Sequence, residues 1–509
     1  MIGSVMEARG VRRWLALGAL AVAMLTIGLD VTVLTVALPT LAVDLHADTS
    51  ALQWFSSAYT LALAAFMLPA GALGDRYGRK KFLLAALLLF GVASVACAFA
   101  TSSGQLIAGR VVLGLAAAVM MPLSMAVLPT LFPEQRERQR AITIWITSTA
   151  IGLPLGPIVG GWLLQHYWWG SAFLFNVPLV IIGATATALL VPESHSGNVF
   201  RIDLLGALLS ALGMLGITYG FIRCGQQGWG DALAWTSIAA GVVLGVAFVL
   251  WQRRTAHPLV DLGLFAEPGF RWGTVFMVLV NFAMFGLFFT MPQYFQAVLG
   301  VDTLGSGVRL LPLTGGLAVG SRLVDRLLPK VGVRAVLVAG FVLLTAGLGM
   351  GALITVDSGY GFAAAALVLL GVGMGFVMPA AMGAATDDLT PERAGSGSAL
   401  LQALRQAGGT IGVAILGTVL STRYRSGLGD LDRTPISDGV NAGVGVARKL
   451  GDPALLSHVQ SAFIDGMSAM LWVCAAICAI AAVLAAIVIR RKDPVVTADV
   501  NTGQSVHVG

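Results

Sequence analysis

The chain has 509 residues, of which 57% are hydrophobic and 11% charged, against about 25% charged in a soluble domain. With a mean hydropathy of +0.86, that balance excludes a soluble globular protein and predicts an all-α, polytopic membrane bundle in a lipid bilayer. The net charge of +6 would suggest nucleic acid in a soluble chain, but the basic residues stand between apolar runs, so they report topology and no nucleic-acid partner is expected.

Arg9, Arg12 and Arg13 precede an apolar run from Trp14 to Leu38. It is too long for the apolar region of a signal peptide and lacks an A-x-A site, so it reads as an uncleaved first span. Further runs of span length occupy 52–73, 82–101, 104–128, 139–164, 169–191, 203–222, 232–252, 270–298, 305–328, 333–356, 360–386, 395–421 and 463–489, giving 14 spans. Lys and Arg orient them. One set of connections holds Arg76, Arg79, Lys80 and Lys81; Arg136, Arg138 and Arg140; Arg253 and Arg254; Arg326, Lys330 and Arg334; and Arg490, Arg491 and Lys492. The short connections 39–51, 165–168, 299–304 and 357–360 on the other side hold none. Both termini are therefore expected in the cytoplasm. The outer loop 422–462, with Arg423, Arg425, Arg433, Arg448 and Lys449, departs from the pattern, as long loops do.

Asp30 lies about 14 Å below the outer end of span 1 and Arg110 about 10 Å below that of span 4, at 1.5 Å per residue. A carboxylate there is expensive and a functional candidate. Burial and a nearby cation pull its proton affinity in opposite directions, which poises it to exchange a proton. A static ion pair that fixes helix packing is the alternative. No other acidic residue sits mid-span, since Asp325, Asp387 and Asp465 fall near ends; singly charged or neutral cargo is expected. Arg405 is a second membrane-embedded cation with no partner evident in the sequence and no assigned role.

In span 5, Gly152, Gly156 and Gly160 share one helix face beside Pro157 and Gly161. In water each interior Gly costs about 1 kcal/mol and Pro about 3 kcal/mol, whereas in a bilayer small residues let backbones touch and a kink is tolerated. The face reads as a tight sliding contact or as a static packing motif. In span 9, Asn281, Phe285, Phe288 and Phe289 share a face and Pro292 can kink it; with Trp54 and Tyr59 of span 2 and Trp145 of span 5 they are the candidate lining of an apolar cavity. Thr147 is a weaker candidate.

The stretch Gly71-Ala-Leu-Gly-Asp75-Arg76-Tyr-Gly78-Arg79 between spans 2 and 3 has a weak echo in Gly320-Ser-Arg-Leu-Val-Asp325-Arg326, followed by Gly332 and Arg334, between spans 10 and 11. Such repeats underlie alternating-access carriers. They divide the chain into a six-span bundle at 1–192, an inserted pair of spans at 193–262, a second six-span bundle at 263–492 and a tail at 493–509.

The loop 2–3 stretch resembles the signature of the major facilitator superfamily. Gly152-x-x-x-Gly156-Pro157-x-x-Gly160-Gly161 is similar to the motif of its antiporters, and Leu29-Asp30 through Ala37-Leu38-Pro39 to the first-span motif of its fourteen-span drug:proton branch. Arg110-x-x-x-Gly114 is similar to the fourth-span motif, with Leu113 where Gln is common, and Gly395-x-x-Ser398-Ala399 with Arg405-Gln406-x-Gly408-Gly409 extends the likeness into span 13. The resemblance implies the major facilitator fold, two six-helix pseudo-repeat bundles plus two inserted helices. It also implies Asp30 as proton carrier modulated by Arg110, and a cytoplasmic gate at Gly71, Asp75, Arg76, Gly78 and Arg79.

No G-x-x-x-x-G-K-[ST] loop is present, so energy is expected from the proton gradient, about 2.3 kcal/mol per charge per 100 mV. His46, His166, His195, His257, His458 and His507 are scattered, and Cys97, Cys224, Cys474 and Cys478 lack metal spacing; neither an enzyme, a cofactor nor a metal is expected. The reading is a monomeric, proton-coupled exporter of hydrophobic, monocationic or neutral drugs or antibiotics in a bacterial plasma membrane. The alternatives are a proton-coupled metabolite or sugar carrier, which Pro192-Glu193-Ser194 faintly suggests, and a membrane sensor or lipid-handling protein.

Overall fold

The computed structural model describes residues 2–194, 203–256, 258–386 and 391–489, excepting the side chains of 2–11 and of scattered positions in 68–76, 135–154 and 391–399. His195, His257, Asp387, His507, Arg490, Arg491 and Lys492 lie outside the described residues.

The apolar runs form long helices: α1 Ile2–Asp44, α2 Thr49–Tyr77, α3 Arg79–Ala98, α4 Ser103–Leu131, α5 Gln135–His166, α6 Ser171–Leu190, α7 Leu204–Gln227, α8 Ala232–Gln252 and α9 Pro268–Gln293. The helical run Leu311–Ala352 is broken at Gly332 into α10 (311–331) and α11 (333–352); α12 Tyr360–Thr386, α13 Pro391–Leu428 and α14 Pro453–Val488 follow. No strand occurs among the described residues. Eleven helical segments are long and apolar enough to cross a membrane, one of them being the run Thr303–Ala352 that Gly332 divides. With α2 and α5, of 29 and 32 residues, this is consistent with the expected fourteen.

Several of the few charged side chains serve the helix starts. Asp48 accepts from the Ala51 N–H at 2.7 Å, Asp203 from Gly206 at 2.8 Å, Asp231 from Ala234 at 2.7 Å and Asp452 from Leu455 at 3.0 Å. Each satisfies an orphan amide and complements the positive helix end. The turn glycines of the weak repeat both have positive φ: Gly78, between α2 and α3, has φ +118, and Gly332, between α10 and α11, has φ +77. Both values suit only a residue without a side chain.

The α1–α2 turn marks the upper end of the bundle and the α2–α3 turn the lower. α1 packs on α5 and α6, and α4 on α2 and α3; on the other side α9 packs on α12 and α13, and α14 on α11 and α13. The two groups meet where α2 lies along α13, where α5 meets the short helix Thr303–Arg309, and where α1 meets α9. These seams carry hydrogen bonds from Thr410 Oγ1 to Thr60 Oγ1 (2.6 Å), Gln165 to Asp302 (3.0 Å), Thr303 to the Gly161 carbonyl (3.2 Å) and Gln296 to the Val36 carbonyl (3.2 Å). All four lie in the upper half of the bundle, which is therefore closed at that end.

α7 and α8 meet along glycines: Gly213 lies against Gly241 and Gly245, and Gly216 against Gly241 and Ser237. Without Cβ atoms the backbones touch, the usual basis of helix pairing in lipid. α7 also packs on α2 and α13, whereas α8 packs chiefly on α7 and leaves Val242, Val243, Val246 and Leu250 exposed.

Candidate functional site

Five helices of the first group converge on one buried polar cluster. Arg110 Nη1 of α4 donates to Oδ2 of Asp30 on α1 at 2.6 Å, and Asn176 Nδ2 of α6 donates to the other oxygen, Oδ1, at 2.9 Å. Asn176 also donates to Ser94 Oγ of α3 at 3.3 Å, and Arg110 Nε to the Phe55 carbonyl of α2 at 3.0 Å. The guanidinium lies 4.4 Å from the centroid of the Tyr59 ring, a cation–π contact that lends a dispersed negative face to a buried charge. Asp30 and Arg110 are 3% and 1% exposed, so the pair is closed off from bulk solvent.

Glycine makes this arrangement possible. Gly114, one turn below Arg110 on its helix face, sits against the Tyr59 carbonyl and 2.9 Å from Ala62 for any added Cβ. A side chain there would hold α4 away from α2 and carry Arg110 off both Phe55 and Tyr59. The Arg110-x-x-x-Gly114 spacing is thus a cation and the close approach that seats it.

The span 5 glycines divide between two partners. A Cβ at Gly152 would lie 2.9 Å from the Gly28 backbone, one at Gly156 would overlap Thr32 Oγ1, and one at Gly160 would stand 3.0 Å from Val33. These residues belong to α1 and flank Asp30; Thr32 Oγ1 also donates to the Gly152 carbonyl at 3.3 Å. Gly161 faces the other way, 2.7 Å from the Leu304 backbone for an added Cβ, and the Pro157 carbonyl meets Gly307. One face of α5 therefore beds on the helix carrying Asp30, and the other on the upper seam.

At the lower end, Arg79 Nη1 donates to the Ala126 carbonyl of α4 at 2.9 Å, and its N–H to the Ser194 carbonyl at 3.0 Å. Lys80 N–H donates to the Glu193 carboxylate at 3.0 Å and Lys80 Nζ to the Ala188 carbonyl at 2.7 Å. Glu193 thereby caps the N-terminus of α3, where a negative charge is favoured. The loop is thus fastened to its own group of helices. Gly71 and the side chains of Asp75 and Arg76 lie outside the described residues, as do those of Arg136, Thr147, Gly395, Ser398 and Ala399.

The model of the Major Facilitator Superfamily matches residues 20–413. The chain belongs to that superfamily. As a major facilitator protein it is a transporter and not an enzyme. It is 31% identical to the tetracenomycin C resistance and export protein of Streptomyces glaucescens over 500 residues, covering 95% of this chain and 93% of that one. It is 32% identical to the multidrug efflux pump LfrA of Mycolicibacterium smegmatis, covering 94% and 97%. It is also 33% identical to the puromycin resistance protein of Streptomyces alboniger, covering 86% and 88%. Among solved structures, an inward-facing bacterial homolog of the human lysosomal transporter Spinster matches with a TM-score of 0.64 at 18% identity, over 94% of this chain and 97% of that one. This likeness supports the fold.

Within this facilitator fold the remaining candidates separate. Tyr59, expected in the cavity, is fully buried beneath Arg110 and belongs to the polar cluster. Trp145, also expected there, is 7% exposed and donates from Nε1 to Ser124 at 3.0 Å. Phe289 is 2% exposed and packed away, while Trp54, Phe285 and Phe288 are half-buried. Asn281 donates to the Arg405 carbonyl at 3.3 Å, and the Phe285 ring covers Gly409. Asn176 and Ser94 were not anticipated. The only sequence signal for Asn176 is a polar amide at the start of an apolar run, which reads equally as an interfacial residue.

Proposed function

We propose that this chain exports hydrophobic drugs or antibiotics in exchange for protons, as a monomer in a bacterial plasma membrane, with its termini and lower end in the cytoplasm. The units are the six-span bundles 1–192 and 263–492, with 193–262 inserted between them, and they rock about cargo held between. The closed upper seam then corresponds to a state open to the cytoplasm, in which drug enters.

The observation that carries this reading is the buried cluster of Asp30, Arg110 and Asn176. A buried carboxylate with both oxygens hydrogen-bonded attracts the Arg110 guanidinium while it carries its charge, and loses that attraction on taking a proton. Asp30 lies on α1 two residues from Gly28 and Thr32, the seat of the α5 glycines. A change in how α1 sits is transmitted to α5, whose far face at Pro157 and Gly161 holds the upper seam. Proton uptake at Asp30 and release of that seam are one mechanical event in this proposal, and the names of the drug-resistance relatives supply the cargo class.

The test is transport in everted vesicles. Wild-type chain, given an imposed pH difference, accumulates a lipophilic fluorescent drug and dissipates the difference; Asp30→Asn binds the drug yet neither accumulates it nor moves protons. Undiminished proton-driven accumulation by Asp30→Asn would sink the proposal.

A further inference from the structure

Arg405 lies deep in α13. The hydrogen bond between Thr60 and Thr410 and the close approach of Gln53 to Gly417 set α2 and α13 antiparallel, which places Arg405 about 24 Å below the start of α2 at 1.5 Å per residue. That is well inside the helix, about two helical turns deeper than Asp30. Its Nε is sealed from solvent with no hydrogen-bond partner, and no carboxylate among the described residues pairs with it. The residue as a whole is half-buried, so its terminal nitrogens keep some exposure.

α13 is flanked by α2, α7, α9 and α14, and Arg405 shares the helix face of Gly408, Gly409 and Gly412, which lie against Val278, Phe285 and Phe282 of α9. Its immediate surroundings are Asn281, whose amide holds the Arg405 carbonyl, the aromatic ring of Phe285, and Gln406, which is 8% exposed. A guanidinium in such a place is expensive unless something pairs with it. Arg110 has Asp30; Arg405 has no counter-ion among the described residues.

We infer that Arg405 is the anion-binding point of the cargo site, and that it receives the deprotonated acid group of a planar, aromatic weak acid, a carboxylate or an acidic phenolate. A guanidinium presents two parallel N–H donors that match the two oxygens of a carboxylate and can converge on the single oxygen of a phenolate, and the Phe285 ring lies one turn along the same helix face, over Gly409. The inference rests on the export reading and adds a charge preference to it: singly anionic cargo gains a partner, whereas cationic cargo meets Arg405 as a like charge. The sequence alone had suggested monocationic or neutral cargo.

The test uses the full chain in proteoliposomes with three probes of one ring system: 1-pyrenebutyric acid, its methyl ester and a pyrene quaternary ammonium. Binding is read from quenching of tryptophan fluorescence. Wild type is expected to bind the acid at least tenfold more tightly than the ester at pH 7, and to lose that preference below the acid's own pKa. Arg405→Gln should lose at least tenfold in affinity for the acid and stay within twofold for the ester, while Arg405→Lys retains part of the acid preference. The ester also reports whether Arg405→Gln is folded, and the pH dependence of the wild type stands without any variant. Equal binding of acid and ester by the wild type, or an equal loss of both in Arg405→Gln, overturns the anion site. Proton-driven export of the ester tests the export reading separately: if it persists while the acid preference is absent, only the anion site fails, and if the wild type exports none of the three, the export reading falls.

Discussion

Asn176 donates to the one oxygen of Asp30 that Arg110 leaves free, at 2.9 Å against 2.6 Å for the arginine. The carboxylate is therefore held from two helices, α4 and α6, with its negative charge fully matched. Removing one partner of a buried pair leaves an uncompensated charge and costs about 3–5 kcal/mol, whereas removing both is far milder. Arg110→Met should thus lower the unfolding midpoint in detergent sharply, and Asp30→Leu combined with Arg110→Met should recover most of the loss. Asn176→Ala removes a single bond to a charged group, about 1.5–3 kcal/mol, and should fall between. Additive losses in the double variant would show that the two side chains do not act as a pair.

The bed of α5 on α1 offers a size test. A Cβ at Gly156 overlaps Thr32 Oγ1, a side-chain atom, while one at Gly152 meets backbone of Gly28. Gly156→Ala should cost about 1–3 kcal/mol of stability, typical of overpacking, and slow export; adding Thr32→Ala should restore much of both. Gly152→Ala should not be rescued by Thr32→Ala, because what it strikes is main chain. Gly18, with open space around it, should accept Ala with no change in export rate. Rescue of Gly152→Ala by the Thr32 change would contradict the geometry.

Much of this site was legible because its parts are chemically conspicuous. A carboxylate and a guanidinium inside apolar runs announce themselves, and four glycines in one apolar stretch make sense only where helices touch. The spans were read by length and their orientation by loop charge. What escaped was whatever depends on rotation about a helix axis. Tyr59 and Trp145 looked like cavity residues because aromatic side chains carry no sign of which way they face; the structure turns Tyr59 onto Arg110 and ties Trp145 to Ser124. Asn176 escaped for the same reason. Glu193 looked like part of a sugar-porter signature and instead caps α3 through the Lys80 amide, a contact between residues 113 apart.

The upper seam should respond to pH. Asp438, in the loop before α14, has its pKa raised from the ordinary 3.8, chiefly by burial and then by the Asp48 carboxylate, with Arg425 opposing. A carboxyl whose folded pKa is raised favours the proton-bound folded form. Its contribution to stability is complete below 3.8 and is lost as pH rises through the raised value. Asp438 also ties the loop to α2 through its carbonyl, which accepts from Thr49 at 2.9 Å. Asp438→Asn mimics the protonated form, so it should slow amide hydrogen exchange of 436–444 at pH 7 and flatten the pH dependence of that exchange. Asp231 behaves oppositely: its pKa is lowered, first by the hydrogen bond from Arg223, so its contribution is present above the ordinary value and lost as pH falls. Weaker protection of 436–444 in acid than at neutrality, each measured against the intrinsic exchange rate at that pH, would contradict the assignment for Asp438.

Thr60 and Thr410 meet across the contact of α2 with α13 at 2.6 Å, and opening of the upper end has to separate them. Cysteines placed at both positions should be joined by mild oxidation, since the hydroxyl separation puts the Cβ atoms near the spacing of about 3.5–4.5 Å that a disulfide needs. The native Cys97, Cys224, Cys474 and Cys478 are free and buried, so replacing them by Ala or Ser first gives a clean background. The oxidised pair should bind drug from the cytoplasmic side with unchanged affinity, because the closed upper seam is the state it locks. Export should stop, with less than about a tenth of the rate remaining, and return on reduction. A single Thr60→Cys or Thr410→Cys loses one hydroxyl–hydroxyl bond, worth about 0.5–1.5 kcal/mol, and should favour the upper-open state slightly. Oxidised protein that still exports at the reduced rate would mean that α2 and α13 do not part during the cycle, and the rocking motion would have to be placed at another seam.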